Sequence, residues 1–153
     1  MRLRDLLNYI QPTDYIVSTE KYSSEYETPV LTAGKSFILG KTNETTGIYH
    51  ASKQMPIILF DDFTTSTKWV DFNFKVKSSA CKILIPKKGV NLKYVFYAMQ
   101  RIRFDSSQHM RYWISKYSKI DIRYPDFEKQ KQIVDIIDKI NNAINLCLLY
   151  TSP

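Results

Sequence analysis

Residues 56–80 read PIILFDDFTTSTKWVDFNFKVKSSA. The first five, 56–60, are all apolar, as is typical of a strand that is buried on both faces. Residues 61–68 then carry two carboxylates, a run of hydroxyls and a lysine. Residues 69–77 alternate strictly between apolar and polar side chains, with Lys75 on the polar face. The stretch therefore predicts two strands joined by a polar loop, the second strand having a basic outer face.

The sequence on either side adds short strands and two helices. A helix is predicted after Asn91, a residue suited to capping its first turn, and a second helix after Pro125. Because the strands and helices do not alternate as βαβ units, the fold class is predicted to be α+β, with a mixed or antiparallel sheet and a long C-terminal helix. Further strands are expected at residues 15–17, 29–31, 36–39, 47–49 and 82–85.

Positive charge is concentrated in the middle of the chain. The whole sequence carries +7, while residues 68–123 alone hold 13 basic and 3 acidic residues, a balance of +10. A segment with this excess of positive charge attracts the phosphates of nucleic acid. No apolar run reaches the roughly 20 residues of a membrane span, so a cytoplasmic protein without a membrane partner is expected. Cys81 and Cys147 lack metal-ligand spacing, which argues against a zinc site.

The C-terminal helix carries a regular apolar seam. Isoleucines recur at intervals of four, three and four residues, which is the spacing of a coiled coil. We expect this helix to pair with another helix. The seam consists of Ile133, Ile137, Ile140 and Ile144.

The final seven residues, 147–153, read CLLYTSP. They match the translation of a sequencing-library adapter, so the authentic sequence is expected to stop near Leu146. The predicted organisation is thus a folded domain over residues 1–124, the start of a long helix over 125–146, and a non-native tail over 147–153.

The central stretch and two others resemble the target recognition domain of type I restriction–modification specificity subunits. The other two are PVLTAGKSFILGKTNE at 29–44 and HMRYWISKYSKIDIRYPDFEKQKQIV at 109–134, and the three occur in the family's order. The resemblance implies sequence-specific binding of double-stranded DNA without catalysis. It also implies partners: methyltransferase subunits, a restriction and translocase subunit, and a second recognition domain supplied in cis or by homodimerisation.

The same resemblance implies that the chain holds no cofactor, and that S-adenosylmethionine, ATP and magnesium belong to the partner subunits. In this reading the chain is one half of a specificity subunit, and a fragment is favoured over a natural half-subunit. Lys35 and Ser36 become candidate phosphate contacts through the resemblance. The remaining candidates come from side-chain chemistry, because hydroxyls and cations bind phosphates and arginine can form paired hydrogen bonds to guanine. They are Thr64, Thr65, Ser66, Thr67, Lys68, Lys75, Lys77, Ser78, Ser79, His109, Arg111, Tyr112 and Ser115.

Two other classes of protein compete with this reading. Asp61, Asp62 and Asp71 could hold a metal in a small nuclease, although no lysine stands at the usual spacing. A turn-shaping role for the first two carboxylates is favoured, because aspartates at the head of a loop accept backbone N–H groups. The third class is a stand-alone DNA-binding regulator. Residues 32–36 imitate the end of a phosphate-binding loop but lack its first glycine, so nucleotide hydrolysis is rejected.

Overall fold

The computed structural model describes residues 1–151 as two sheets and three α-helices. The strands are β1 (Leu7–Ile10), β2 (Thr28–Leu31), β3 (Ile38–Thr42), β4 (Ile57–Asp61), β5 (Thr67–Val70), β6 (Lys75–Val76) and β7 (Cys81–Pro86). The helices are α1 (Leu3–Leu6), α2 (Leu92–Met99) and α3 (Phe127–Thr151), with short 3₁₀ turns at Thr13–Tyr15 and Tyr117–Lys119.

One sheet has four antiparallel strands in the order β1-β7-β4-β5. The other has three strands in the order β3-β2-β6, and its β2–β6 pair is parallel. The predicted α+β class with mixed and antiparallel sheets is confirmed. None of the helices in the described part of the chain is long and apolar enough to cross a membrane.

Strand β4 lies at the centre of the molecule and is buried on both faces. Ile58 and Phe60 pack with α1, α2 and the aromatic residues near position 113. Ile57 and Leu59 point the other way, into a second core shared with the three-stranded sheet. Because neighbouring side chains of a strand point to opposite faces, a continuous apolar run is what a two-sided core requires.

The predicted single strand over residues 69–77 is wrong. Strand β5 ends at Val70, and β6 begins only at Lys75, in the other sheet. The chain between them crosses from one sheet to the other, so the apolar alternation continues while the strand does not. Phe74 and Val76 are buried in the core between the sheets, beside Val70.

Both predicted helices form. The Asn91 side chain accepts a hydrogen bond from the Tyr94 amide at 3.1 Å and caps α2, as expected. Helix α3 begins at Phe127, and the Asp126 carboxylate accepts from the Lys129 amide at 2.8 Å. The helix continues to Thr151, so it includes most of the adapter-like tail; Ser152 and Pro153 lie outside the described residues.

Candidate nucleic-acid interface

Three loops meet at one edge of the two sheets. Residues 32–37 join β2 to β3, residues 62–66 join β4 to β5, and residues 77–80 join β6 to β7. Lys77 N donates to the carbonyl of Leu31, the last residue of β2, at 3.0 Å, and Asp62 N donates to Ala80 O at 2.8 Å. With the segment 108–116 that packs against them, we call these residues the loop edge.

Asp61 shapes the loop between β4 and β5. Its Oδ1 accepts hydrogen bonds from the amides of Phe63 at 2.8 Å and Thr64 at 3.0 Å. The amide of Thr65 donates to the Asp61 carbonyl at 2.8 Å, and Thr65 adopts a φ of 63°, a left-handed conformation that β-branched residues rarely take. The favoured turn-shaping role of this carboxylate is confirmed.

Asp62 is a buried anchor between the loop and the segment 108–116. Its side chain is 1% exposed. Its Oδ1 accepts from the amides of Tyr112 at 3.0 Å and Trp113 at 2.7 Å. Its Oδ2 lies 3.4 Å from Nζ of Lys82, which is also buried. A buried carboxylate is tolerable only when paired and hydrogen-bonded, and this one satisfies both conditions.

Arg111 is held on the surface by contacts from two loops. Its Nη1 donates to the Ser79 carbonyl at 3.1 Å, and its Nη2 donates to Ser79 Oγ at 3.2 Å. The guanidinium lies 4.9 Å from the ring centre of Phe63, and Nη1 is 3.8 Å from Asp62 Oδ2. Half of the arginine side chain remains exposed. The structure thus joins residues 32 positions apart in sequence into one surface.

Most of the predicted contact residues lie on this edge with their side chains accessible. Lys68 extends over the ring of Phe37 at 5.8 Å and so bridges to the loop between β2 and β3. The exposed ones are Lys35, Ser36, Thr64, Ser66, Ser78, Ser79, His109, Arg111 and Ser115. Thr65, Thr67, Lys68 and Lys77 are partly buried.

Thr67, Ser115 and Lys77 also bond to other groups of the protein. The Thr67 hydroxyl accepts from the Gln100 side-chain amide at 2.9 Å. The Ser115 hydroxyl donates to the Arg111 carbonyl at 3.1 Å. Lys77 forms an ion pair with Glu20, which is itself well exposed. Of these three residues, only Lys77 can leave its partner and bind DNA at little cost in stability, because its ion pair with Glu20 lies on the surface.

The expectation that Lys75 lies on an exposed basic face is wrong. This lysine is 3% exposed. Its Nζ donates to the Thr46 carbonyl at 2.7 Å and lies 3.3 Å from the Glu44 carboxylate. Glu44 is 31 residues away in sequence, so the local alternation at 69–77 gave no sign of this pairing. Lys75 is a structural cation and leaves the set of DNA contacts.

Tyr112 also leaves that set, because its side chain is fully buried. Its hydroxyl accepts a hydrogen bond from the Gln108 amide at 2.9 Å, and its ring packs edge-on against Phe104.

Phe63 was not among the predicted contact residues. It is a large aromatic residue, 36% exposed, at the tip of the loop between β4 and β5. Its position in the sequence, between two aspartates and a run of hydroxyl residues, could have indicated an aromatic side chain in the contact loop.

The Glu44–Lys75 pair yields a prediction about stability. Burial raises the pKa of Glu44, but hydrogen bonds from the Ser18 and Thr19 amides and the Lys75 charge outweigh it and lower that pKa below 4.5. We expect Lys75→Met to lower the free energy of unfolding by about 2 kcal/mol at neutral pH, since a hydrogen-bonded charge is lost. The contribution of Glu44 is complete above pH 4.5 and disappears as the pH falls through the lowered pKa.

Urea denaturation at pH 7 and in the acid range measures both effects. Lys77→Met is the matched control, because its ion pair is on the surface and its removal should change stability by less than about 1 kcal/mol. Equal losses for the two variants would contradict the structural assignment of Lys75.

One curated protein and several solved structures are similar to this chain. No protein-family model matches the chain. The specificity subunit of the type I restriction enzyme EcoR124I/EcoR124II from Escherichia coli is 50% identical over 148 residues, which cover 90% of this chain. The chain spans 36% of the length of that relative.

Solved structures share the fold. An HsdS subunit from Thermoanaerobacter tengcongensis matches 99% of the chain with a TM-score of 0.62 at 13% identity. The S subunit of a type I restriction–modification system from M. genitalium matches 93% with a TM-score of 0.68 at 16% identity. The matched regions make up 39% and 38% of those two chains.

Proposed function

We propose that this chain, which belongs to the family of type I restriction–modification specificity subunits, is a target recognition domain that binds double-stranded DNA by sequence. The observation that carries the proposal is the loop edge. Loops from distant parts of the sequence present hydroxyls, lysines and one fixed arginine on a single surface. Hydroxyls and lysines suit phosphates, while arginine suits a base edge.

The distribution of cations supports DNA as the ligand. Of the 13 basic residues in the segment 68–123, only Lys75 and Lys82 are buried in ion pairs with acidic partners. The others remain at least partly exposed. A surface of this charge accelerates association with DNA and makes affinity strongly dependent on salt.

The chain acts by recognition and carries no catalytic step in this proposal. Asp61 and Asp62, the carboxylates that a nuclease would require, are occupied by backbone N–H groups and by Lys82. Methyl transfer and cleavage are assigned to the partner subunits, together with S-adenosylmethionine, ATP and magnesium. The partners are methyltransferase subunits and a translocating restriction subunit, with the chain in the cytoplasm alongside DNA.

Helix α3 is the proposed assembly element. Ile133 and Ile137 line a groove that α2 and residues 121–123 close on the other side, so the first half of the seam packs on the chain's own domain. Ile140 and Ile144 are 52% and 51% exposed. We propose that this second half pairs with a helix of another recognition domain, in cis or from a second copy.

Binding to a library of random DNA duplexes tests the proposal, and its salt dependence gives a second prediction. The chain should enrich a defined motif, and its affinity should fall steeply with salt. Lys35→Ala and Lys68→Ala should each flatten the slope of log affinity against log salt by about one unit. Lys75→Met should leave the slope unchanged. Recovery of random sequence by the wild-type chain would contradict the proposed function.

A further inference from the structure

Arg111 is fixed in a way that leaves one edge of its guanidinium free. A guanidinium carries five N–H donors in a rigid planar fork. Ser79 takes one hydrogen from each terminal nitrogen, through its carbonyl and its hydroxyl. Nε and the second hydrogen of Nη2 form the side of the fork, and they have no hydrogen-bond partner within residues 1–151. Two parallel donors therefore remain available on a half-exposed side chain.

Three further contacts restrict how this arginine can move. The guanidinium carbon lies over the Phe63 ring, 4.9 Å from its centre, and Asp62 Oδ2 lies 3.8 Å from Nη1. Asp62 also fixes the backbone of the arginine's own segment through the amides of the next two residues, Tyr112 and Trp113. This oxygen of Asp62 is buried and accepts no hydrogen bond in the described part of the chain, so its charge is directed at Lys82 and Arg111.

We infer that Ser79, Phe63 and Asp62 are positioning residues that preset Arg111 to donate its free pair of hydrogens to the O6 and N7 atoms of one guanine. The inference rests on the proposed function and adds a specificity-determining arrangement to it. A phosphate offers the same paired acceptors, but it can be approached from many directions and needs no preset donor. A base edge lies in one plane, and a planar donor held by a cation–π contact and by two hydrogen bonds matches it.

Ser79 was predicted to contact DNA directly, but in this inference it positions Arg111. Its hydroxyl accepts from Arg111, so it acts on DNA through the arginine. Phe63 restrains the arginine through a cation–π contact, and leucine at that position would keep an apolar side chain without an aromatic face. A threonine at position 79 keeps both acceptors, whereas alanine keeps only the carbonyl.

Selection from a random duplex library with the full chain, followed by counting of bases at each position, tests the inference. Arg111→Lys keeps the charge but not the fork, and it should reduce discrimination at one G·C pair by roughly 5- to 150-fold. Ser79→Ala and Phe63→Leu should relax the same pair several-fold and leave other positions unchanged. Ser79→Thr should restore the wild-type preference, and Ser24→Ala, at an exposed serine outside the loop edge, is the control.

The outcomes separate this inference from the function on which it rests. If the wild-type chain enriches no motif, the proposed function itself fails. If a motif appears but Arg111→Lys weakens all sequences equally, Arg111 contacts phosphate and the inference is overturned. The positioning role is also overturned if Arg111→Lys relaxes one pair while Ser79→Ala and Phe63→Leu relax none.

Discussion

Replacing Asp62 with alanine will lower the free energy of unfolding by about 3–5 kcal/mol, because it leaves the buried Lys82 charge without its partner. The substitution also leaves the Trp113 amide without its acceptor, whereas the Tyr112 amide keeps a second acceptor, the Asp62 main-chain carbonyl, at 2.9 Å. Urea denaturation of the purified chain measures the loss. The segment 108–116 should be held less firmly against the loop 62–66, so hydrogen exchange at the Trp113 amide should accelerate.

The neighbouring carboxylate is the matched control. Asp61→Ala removes two hydrogen bonds in a less buried turn and should cost about 1 kcal/mol. A double variant, Asp62→Asn with Lys82→Met, should recover much of the loss, since it removes both charges and keeps an oxygen acceptor. If Asp62→Ala and Asp61→Ala are equally mild, Asp62 is not the anchor that the contacts indicate.

The second large effect concerns α3, where we propose that only the second half of the isoleucine seam pairs with another helix. Ile140→Asp combined with Ile144→Asp should leave unfolding within about 0.5 kcal/mol of wild type, because both side chains are exposed. The same pair should abolish helix pairing and reduce methylation by the assembled complex at least tenfold. Ile137→Asp should instead destabilise the chain by about 1–3 kcal/mol, since this residue lines the groove against α2.

Asn142→Asp is the control for these helix variants, because it adds a negative charge at an exposed position without removing an apolar side chain. Sedimentation of the complex and methylation of DNA are the measurements. Wild-type methylation by the Ile140 and Ile144 double variant would show that the exposed half of the seam is not the pairing surface.

The local sequence predicted those strands and helices whose burial or capping depends on neighbouring residues of the chain. Strand β4 is apolar at every position because both of its faces are buried, and α2 carries its own cap at Asn91. The failed prediction at residues 69–77 has a different origin. Alternation reports which side chains face the core, and it continued while the chain moved from one sheet to the other. Only the partner strands decide where a strand ends.

The candidate site was predictable in part for the same reason. Apart from Lys35 and Ser36, which came from the family resemblance, the hydroxyls and cations in loops were predicted from residue type, and the structure gathers most of them on one edge. Lys75 failed because its acidic partner, Glu44, comes from another loop. The anchoring role of Asp62 depends on amides 50 and 51 residues further along the chain, and the cation–π contact of Phe63 depends on Arg111. Such contacts exist only after the loops have come together.

Methylation mapping with an exchanged domain tests the central claim most directly. In this experiment residues 1–151 replace the matching segment of the Escherichia coli relative, and the chimera is assembled with methyltransferase subunits. We predict methylation at a split motif, with Arg111→Lys changing base preference in one half of the motif only and Lys75→Met changing neither half. An assembled chimera whose motif is the same with intact and with altered loop-edge residues would contradict the claim that this surface chooses the DNA target.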